Sequence, residues 1–248
     1  MATTNKRHSD PKHPEIRTLF RAIASGDVAA SMRLLEESPQ LAAEAIPVGA
    51  SRQTSAPYFL DAIAHYVYAG DTALHIAAAA YRAEVARELV DLGANPRARN
   101  RLGSEPLHYA AVGSPGSTHW NPDAQAATIA YLIRAGADPN AANKNGAAPL
   151  HQAVRTRCAA AVRALLAHGA DPRRANGSGS TPLHLAVQNT GRGGSGSVEA
   201  RDQQAEIIQM LVAAGARPTD TDGHGRTVAD SIRSEWLADM LDPGVEQR

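Results

Sequence analysis

A short string ending in Leu-His returns along the 248-residue chain, and it constrains the fold more than any other feature. It ends at His75 (TALH), His108 (EPLH), His151 (APLH) and His184 (TPLH), with a weaker echo, TVAD, ending at Asp230. Successive ends lie 33, 43, 33 and 46 residues apart. A second string built on Gly-Ala, at Gly93, Gly136, Gly169 and Gly215, has spacings of 43, 33 and 46. The two series share a period of 33, and both place the extra residues between a Leu-His string and the next Gly-Ala string. A fixed period of this length marks stacked supersecondary units rather than one central core.

Each unit reads as two helices and a turn. Thr before the Pro can cap a helix through its hydroxyl, and Pro suits the first helical turn, so a short first helix starts at TPLH, as in 182–189. A second helix is predicted over 160–168, where Val162, Leu165 and Leu166 share one face. Gly93, Gly136, Gly169 and Gly215 fall where a left-handed residue ends a helix. Polar stretches rich in Pro, Asn and Gly, such as 138–146, then turn the chain back.

The T-P-L-H-x-A string at a period of 33 resembles the ankyrin repeat, strongly over residues 68–230. The resemblance implies an all-α ankyrin-repeat solenoid of about six helix pairs, with β-turn or finger connections and three insertions. Residues 1–14 are expected to be a tail, 15–45 a capping helix pair hinged at Gly26 and Asp27, and 46–67 an insertion. Residues 68–226 hold four repeats, with further insertions at 113–123 and 190–204. Residues 227–243 form a closing repeat, with Trp236, Leu237 and Leu241 covering the last interface, and 244–248 a tail.

Composition agrees with closely stacked helices: aromatic residues are 4% of the chain, so its core is made of small side chains. Lys+Arg 25 balance Asp+Glu 25, which removes the long-range field that would favour nucleic acid or an anionic membrane. The single cysteine, Cys158, precludes an internal disulfide framework and is read as a packed side chain in a reducing compartment. No run of about 18 apolar residues is present and the N-terminus is polar, so a cytoplasmic location is expected.

The insertions interrupt the pattern. Residues 57–67, PYFLDAIAHYV, are predicted to form an extra helix, and the resemblance implies that this connection projects as a finger beside the binding groove. Tyr58, Phe59, Tyr66 and the following Tyr68 make it a candidate contact surface, because Tyr is enriched at binding hot spots. The segment 113–123 carries His119 and Trp120, read mainly as a packing anchor. Residues 190–204 begin Gly/Ser-rich and read as a flexible linker, without the Gly-Lys-Ser/Thr ending of a phosphate loop.

The repeated histidines stand about 10 Å apart in a stacked array, too far to share a metal whose ligands sit about 2 Å away. The resemblance gives them a structural role, bonding backbone in their own and the neighbouring turn. Asp61 and His65 would share one face of the predicted helix, and with His119 they form the alternative: an enzyme or metal-binding protein using the stack as scaffold. No catalytic motif, cofactor or metal set is otherwise legible, so the chain is read as non-enzymatic.

The function implied by the resemblance is protein–protein interaction through a rigid concave groove. Carried over by position, the groove residues are Tyr58, Phe59, Tyr66, Tyr68, Asp71, Arg101, Leu102, Lys144, Asn145, Arg155, Gln188, His224 and Arg226. Arginines recur on the turns at Arg97, Arg99, Arg101, Arg173 and Arg174, which favours an acidic partner. The protein is expected to act as a monomer, without nucleic acid or membrane.

Overall fold

The computed structural model describes residues 13–115, 117, 120–188 and 198–241. Its helices come in pairs: α1 (Pro14–Ser25) with α2 (Val28–Glu37), α3 (Ala73–Ala79) with α4 (Ala83–Asp91), and α5 (Pro106–Ala110) with α6 (Pro122–Arg134). There follow α7 (Pro149–Arg155) with α8 (Ala159–Ala167) and α9 (Pro182–Ala186) with α10 (Val198–Ala213). A 3-10 turn (Ala229–Ser231) and α11 (Glu235–Leu241) close the stack. First helices stack on first helices, α1 on α3, α3 on α5, α5 on α7 and α7 on α9. Second helices make a parallel row, α2 on α4 through α8 on α10.

Local signals account for the ends of these elements. Pro occupies the first position of α5, α7 and α9, where a missing N–H costs no helical hydrogen bond. Gly93, Gly136, Gly169 and Gly215 have φ between 86° and 104°, the left-handed region that ends a helix cheaply only without a Cβ. Their side-chain-free position leads to Ala94, Ala137, Ala170 and Ala216, all buried between units. Leu107, Leu150 and Leu183, one residue before each histidine, are fully buried, so the repeated Leu is the core residue of each first helix.

The turns are joined by a ladder of backbone bonds. Arg101 donates its amide to the Ala69 carbonyl (2.7 Å), Lys144 to Leu102 (3.0 Å), Gly177 to Asn145 (2.9 Å) and Gly223 to Ser178 (3.2 Å). Adjacent turns approach so closely that a Cβ on Gly179 would lie 2.1 Å from the Gly223 nitrogen.

Two expectations about the insertions need correction. Residues 57–67 are not a helix. They form a 3-10 turn (Ala56–Tyr58) and a two-stranded hairpin, β1 (Phe59–Leu60) against β2 (His65–Tyr66), joined by a second 3-10 turn (Asp61–Ile63). Ala64 adopts φ 47°, which no α-helix accommodates. The cause is non-local pairing: Val67 donates to the Tyr58 carbonyl (2.7 Å) and Ala50 to the Val67 carbonyl (2.7 Å). Farther along, Ile46 donates to Asp71 (2.8 Å) and Gly70 to Ile46 (2.7 Å), so the insertion covers the outer edge of the first turn. In the third insertion residues 198–204 belong to α10 rather than to a linker, and 189–197 lie outside the described residues. Among the described residues no helix is long and apolar enough to cross a membrane.

Candidate functional site

The hairpin folds back onto the first helices. Its 3-10 turn packs against α1, and the His65 ring lies 4.6 Å from the Tyr109 ring on α5. Tyr109 follows the repeated histidine directly and is only 5% exposed, as Ile76 is fully buried at the same position of α3. The equivalent residues farther along, Gln152 and Leu185, are half-buried. The open first-helix face therefore begins after the second repeat. The 46–67 segment covers the earlier part instead of standing beside it.

Beneath the hairpin lies a polar cluster that the sequence did not reveal as such. Asp71, 0% exposed, accepts from the Tyr68 amide (2.6 Å), the Asn100 side-chain amide (2.8 Å) and the Tyr109 hydroxyl (2.9 and 3.0 Å to its two oxygens). Burial, then the adjacent Asp71, push the Tyr109 hydroxyl far up, so it remains a donor at any ordinary pH. The expected groove role of Asp71 is corrected by this burial: it organises the first turn and no partner can reach it. Tyr58 is corrected likewise. It is 6% exposed, with the Arg17 guanidinium 5.0 Å from its ring centre.

The repeated histidines connect neighbouring units. Nδ1 of His75 accepts from the Thr72 amide (3.1 Å), which places the proton on Nε2, 3.1 Å from the Ser104 carbonyl. His108 repeats this with the Glu105 amide (3.1 Å) and the Ala147 carbonyl (3.1 Å). His151 and His184 likewise reach the carbonyls of Ser180 and Arg226 (3.3 Å each). Burial holds His75, His108 and His151 below the usual imidazole range, His108 at about 4. A second recurrent device went unread: Gln125 of α6 and Gln204 of α10, both buried, donate to the carbonyls of Ala110 (2.8 Å) and Ala186 (2.6 Å).

The remaining surface residues divide by location. Tyr66, Tyr68 and Arg101 converge with Arg52, Ser51 and Ser55 on an open recess of about 360 Å³. Arg101 sits 5.2 Å from the Tyr68 ring centre and donates to the Ala50 carbonyl (2.5 Å), so its guanidinium is held in place. Phe59 stands behind Tyr66 with ring centres 4.8 Å apart. Leu102, 41% exposed, continues this patch to the exposed Lys144 and Asn145 through the turn ladder. His224 and Arg226 are exposed on the last turn, where Arg226 pairs with Asp222 (2.8 Å). Arg155 and Gln188 lie apart, at and just beyond the C-terminal ends of α7 and α9.

The arginine strip is less free than its composition implies. Arg99 donates to the Gly103 and Ala142 carbonyls, and Arg173 pairs with Asp220 (2.7 Å). Arg52 and Lys144 form no ion pair among the described residues.

Asp61 and His65 do not share a helix face. Asp61 is exposed on the 3-10 turn, whereas His65 points its ring at Tyr109 and buries an Nε2 without a hydrogen-bond partner. His119 lies outside the described residues, and among those described no three His, Cys, Asp or Glu side chains are grouped to hold a metal. Cys158 is buried, its thiol pushed up by burial and donating to Gln125 Oε1 (3.1 Å). Gln125 Oε1 also accepts from the Trp120 indole (2.7 Å), which anchors the second insertion.

Comparison with known families agrees with the geometry. Residues 122–222 match a model of ankyrin repeats in three copies, and residues 69–101 match the single ankyrin repeat. No curated protein matches the chain. The two matches take in His75, His151 and His184 and all four Gly-Ala corners, with His108 in the stretch between them, and the chain belongs to the ankyrin-repeat family.

Proposed function

We propose that the chain binds a protein partner carrying an acidic segment, with Tyr66, Tyr68, Arg101 and Leu102 at the centre of the contact and Lys144 and Asn145 extending it. Ankyrin repeats are generally protein-interaction modules. One observation carries the choice of surface: the recess at Tyr66 and Tyr68 is lined by two guanidinium groups and no acidic side chain. Tyr and Arg dominate binding hot spots, and a cation already held by stacking and a carbonyl loses little freedom when a partner docks. The contact is a preformed surface and uses no chemistry of its own. Gln188, Arg155, His224 and Arg226 are peripheral to it.

The test is capture of the partner by purified protein carrying Tyr68→Ala and Arg101→Ala together, beside wild type and an outer-helix control, Glu84→Ala. Loss of two hot-spot side chains is expected to weaken capture by at least about tenfold, since such truncations cost about 2 kcal/mol or more each. Unchanged capture by a double variant that melts normally would refute the assignment.

A further inference from the structure

Residues of two insertions line one cleft. Where the hairpin turn approaches the segment holding Trp120, across the C-terminal ends of α1 and α3, they enclose a cleft of about 460 Å³. Its size falls within the range of small-molecule pockets, about 300 to 1,000 Å³. Ala79, Ala80, Ile63 and Trp120 give the cleft an apolar part, and Ser25, Ser114, Ser117, Asp61 and Arg82 a polar part of similar extent. The polar ends of its aromatics are already engaged: the Trp120 indole donates to Gln125, and the Tyr81 hydroxyl donates to the Val112 carbonyl.

Arg82 is different. It lines the same cleft, its Nε is buried and has no hydrogen-bond partner, and among the described residues no carboxylate forms an ion pair with its guanidinium. The side chain lies against the α1–α2 corner, where a Cβ on Gly26 would come within 2.4 Å of its terminal nitrogen. The guanidinium of the half-buried Arg82, with no carboxylate partner, can offer a bound carboxylate charge-assisted hydrogen bonds beside the Trp120 ring. Asp61, the acidic residue on the lining, is exposed. It would disfavour a highly charged ligand such as a polyphosphate more than a single carboxylate.

We propose that this cleft is a binding site for a carboxylate borne on a compact apolar group, the carboxylate bonded to Arg82 and the apolar part set against Trp120 and the alanines. This site is separate from the Tyr68 and Arg101 recess and does not rest on the protein-binding reading. The carboxylate could belong to a free organic acid or to a chain terminus, and the probes separate the two.

Calorimetric titration with 4-phenylbutyrate and with its amide is the test, repeated with an N-acetylated tripeptide ending in phenylalanine, free or amidated at its C-terminus. Preference for a carboxylate over its amide is expected, with the tighter of the two carboxylates identifying the source. Arg82→Gln should reduce that affinity at least tenfold and Arg82→Lys less, while Ala62→Trp, at an exposed position on the lining, should block the cleft and leave Arg82 in place. Equal affinity for acid and amide, no binding of either, or full binding by Ala62→Trp would overturn the site. If Arg82→Gln does not fold, Ala62→Trp and the acid–amide pair still decide.

Discussion

Replacing Asp71 by alanine is expected to destabilise the fold by about 3 to 5 kcal/mol, because two buried donors and one part-buried donor lose an acceptor and each buried orphan costs about 1 to 3 kcal/mol. The donors are the Tyr68 amide, the Asn100 side chain and the Tyr109 hydroxyl. They belong to the first turn, the second turn and α5, so the loss uncouples neighbouring units rather than loosening one residue. At about 2 to 4 °C per kcal/mol for a chain of this size, thermal unfolding followed by circular dichroism should shift down by about 10 °C. Tyr109→Phe removes one of the donors with its hydroxyl and should cost far less, about 1 kcal/mol. An Asp71→Ala melt within a degree or two of wild type would show that the cluster does not couple the repeats.

Acid should destabilise the protein from about pH 6.5 downward, through its buried histidines. Burial lowers the pKa of His65, His75, His108 and His151, His108 to about 4. An unfolded histidine takes up a proton near pH 6.5 while the folded one resists. The stabilisation is therefore complete above about pH 6.5 and is lost as pH falls from there toward 4. For His108 alone the span corresponds to roughly 3 kcal/mol. Glu105, whose carboxyl burial pushes up, contributes with the opposite sign over part of this range and offsets one histidine in part. Urea unfolding midpoints should thus fall steadily between pH 7 and pH 4.5. A flat profile would mean that the imidazoles are not held neutral by the stack.

The repeated elements were legible because each is decided locally. A Gly at the end of the second helix, Pro at the start of the first and Leu before the histidine carry their conformations within a few residues. The structural role of the histidines was implied by the resemblance, and their bonds to the Ser104, Ala147, Ser180 and Arg226 carbonyls agree with it. The insertion was not legible. Whether 57–67 becomes helix or hairpin is settled by Ala50, which donates to the Val67 carbonyl, by α1, on which its 3-10 turn packs, and by Tyr109, which gives His65 a ring to rest on. None of these is a neighbour in sequence. The same tertiary contacts bury Tyr58 and Asp71, both expected on the surface. Tyr68 and Arg101 share one recess because the turn ladder that joins their turns is itself periodic.

Site-specific photocrosslinking tests the partner surface most directly. A benzophenone side chain is introduced at Leu102, on the turn patch, and in a separate variant at Glu84, on the outer helix α4. The expected result is a crosslinked partner from Leu102 that disappears when Tyr68 and Arg101 are both alanine, with none from Glu84. Crosslinking from Glu84 and none from Leu102 would contradict it and move the partner to the opposite face of the repeats.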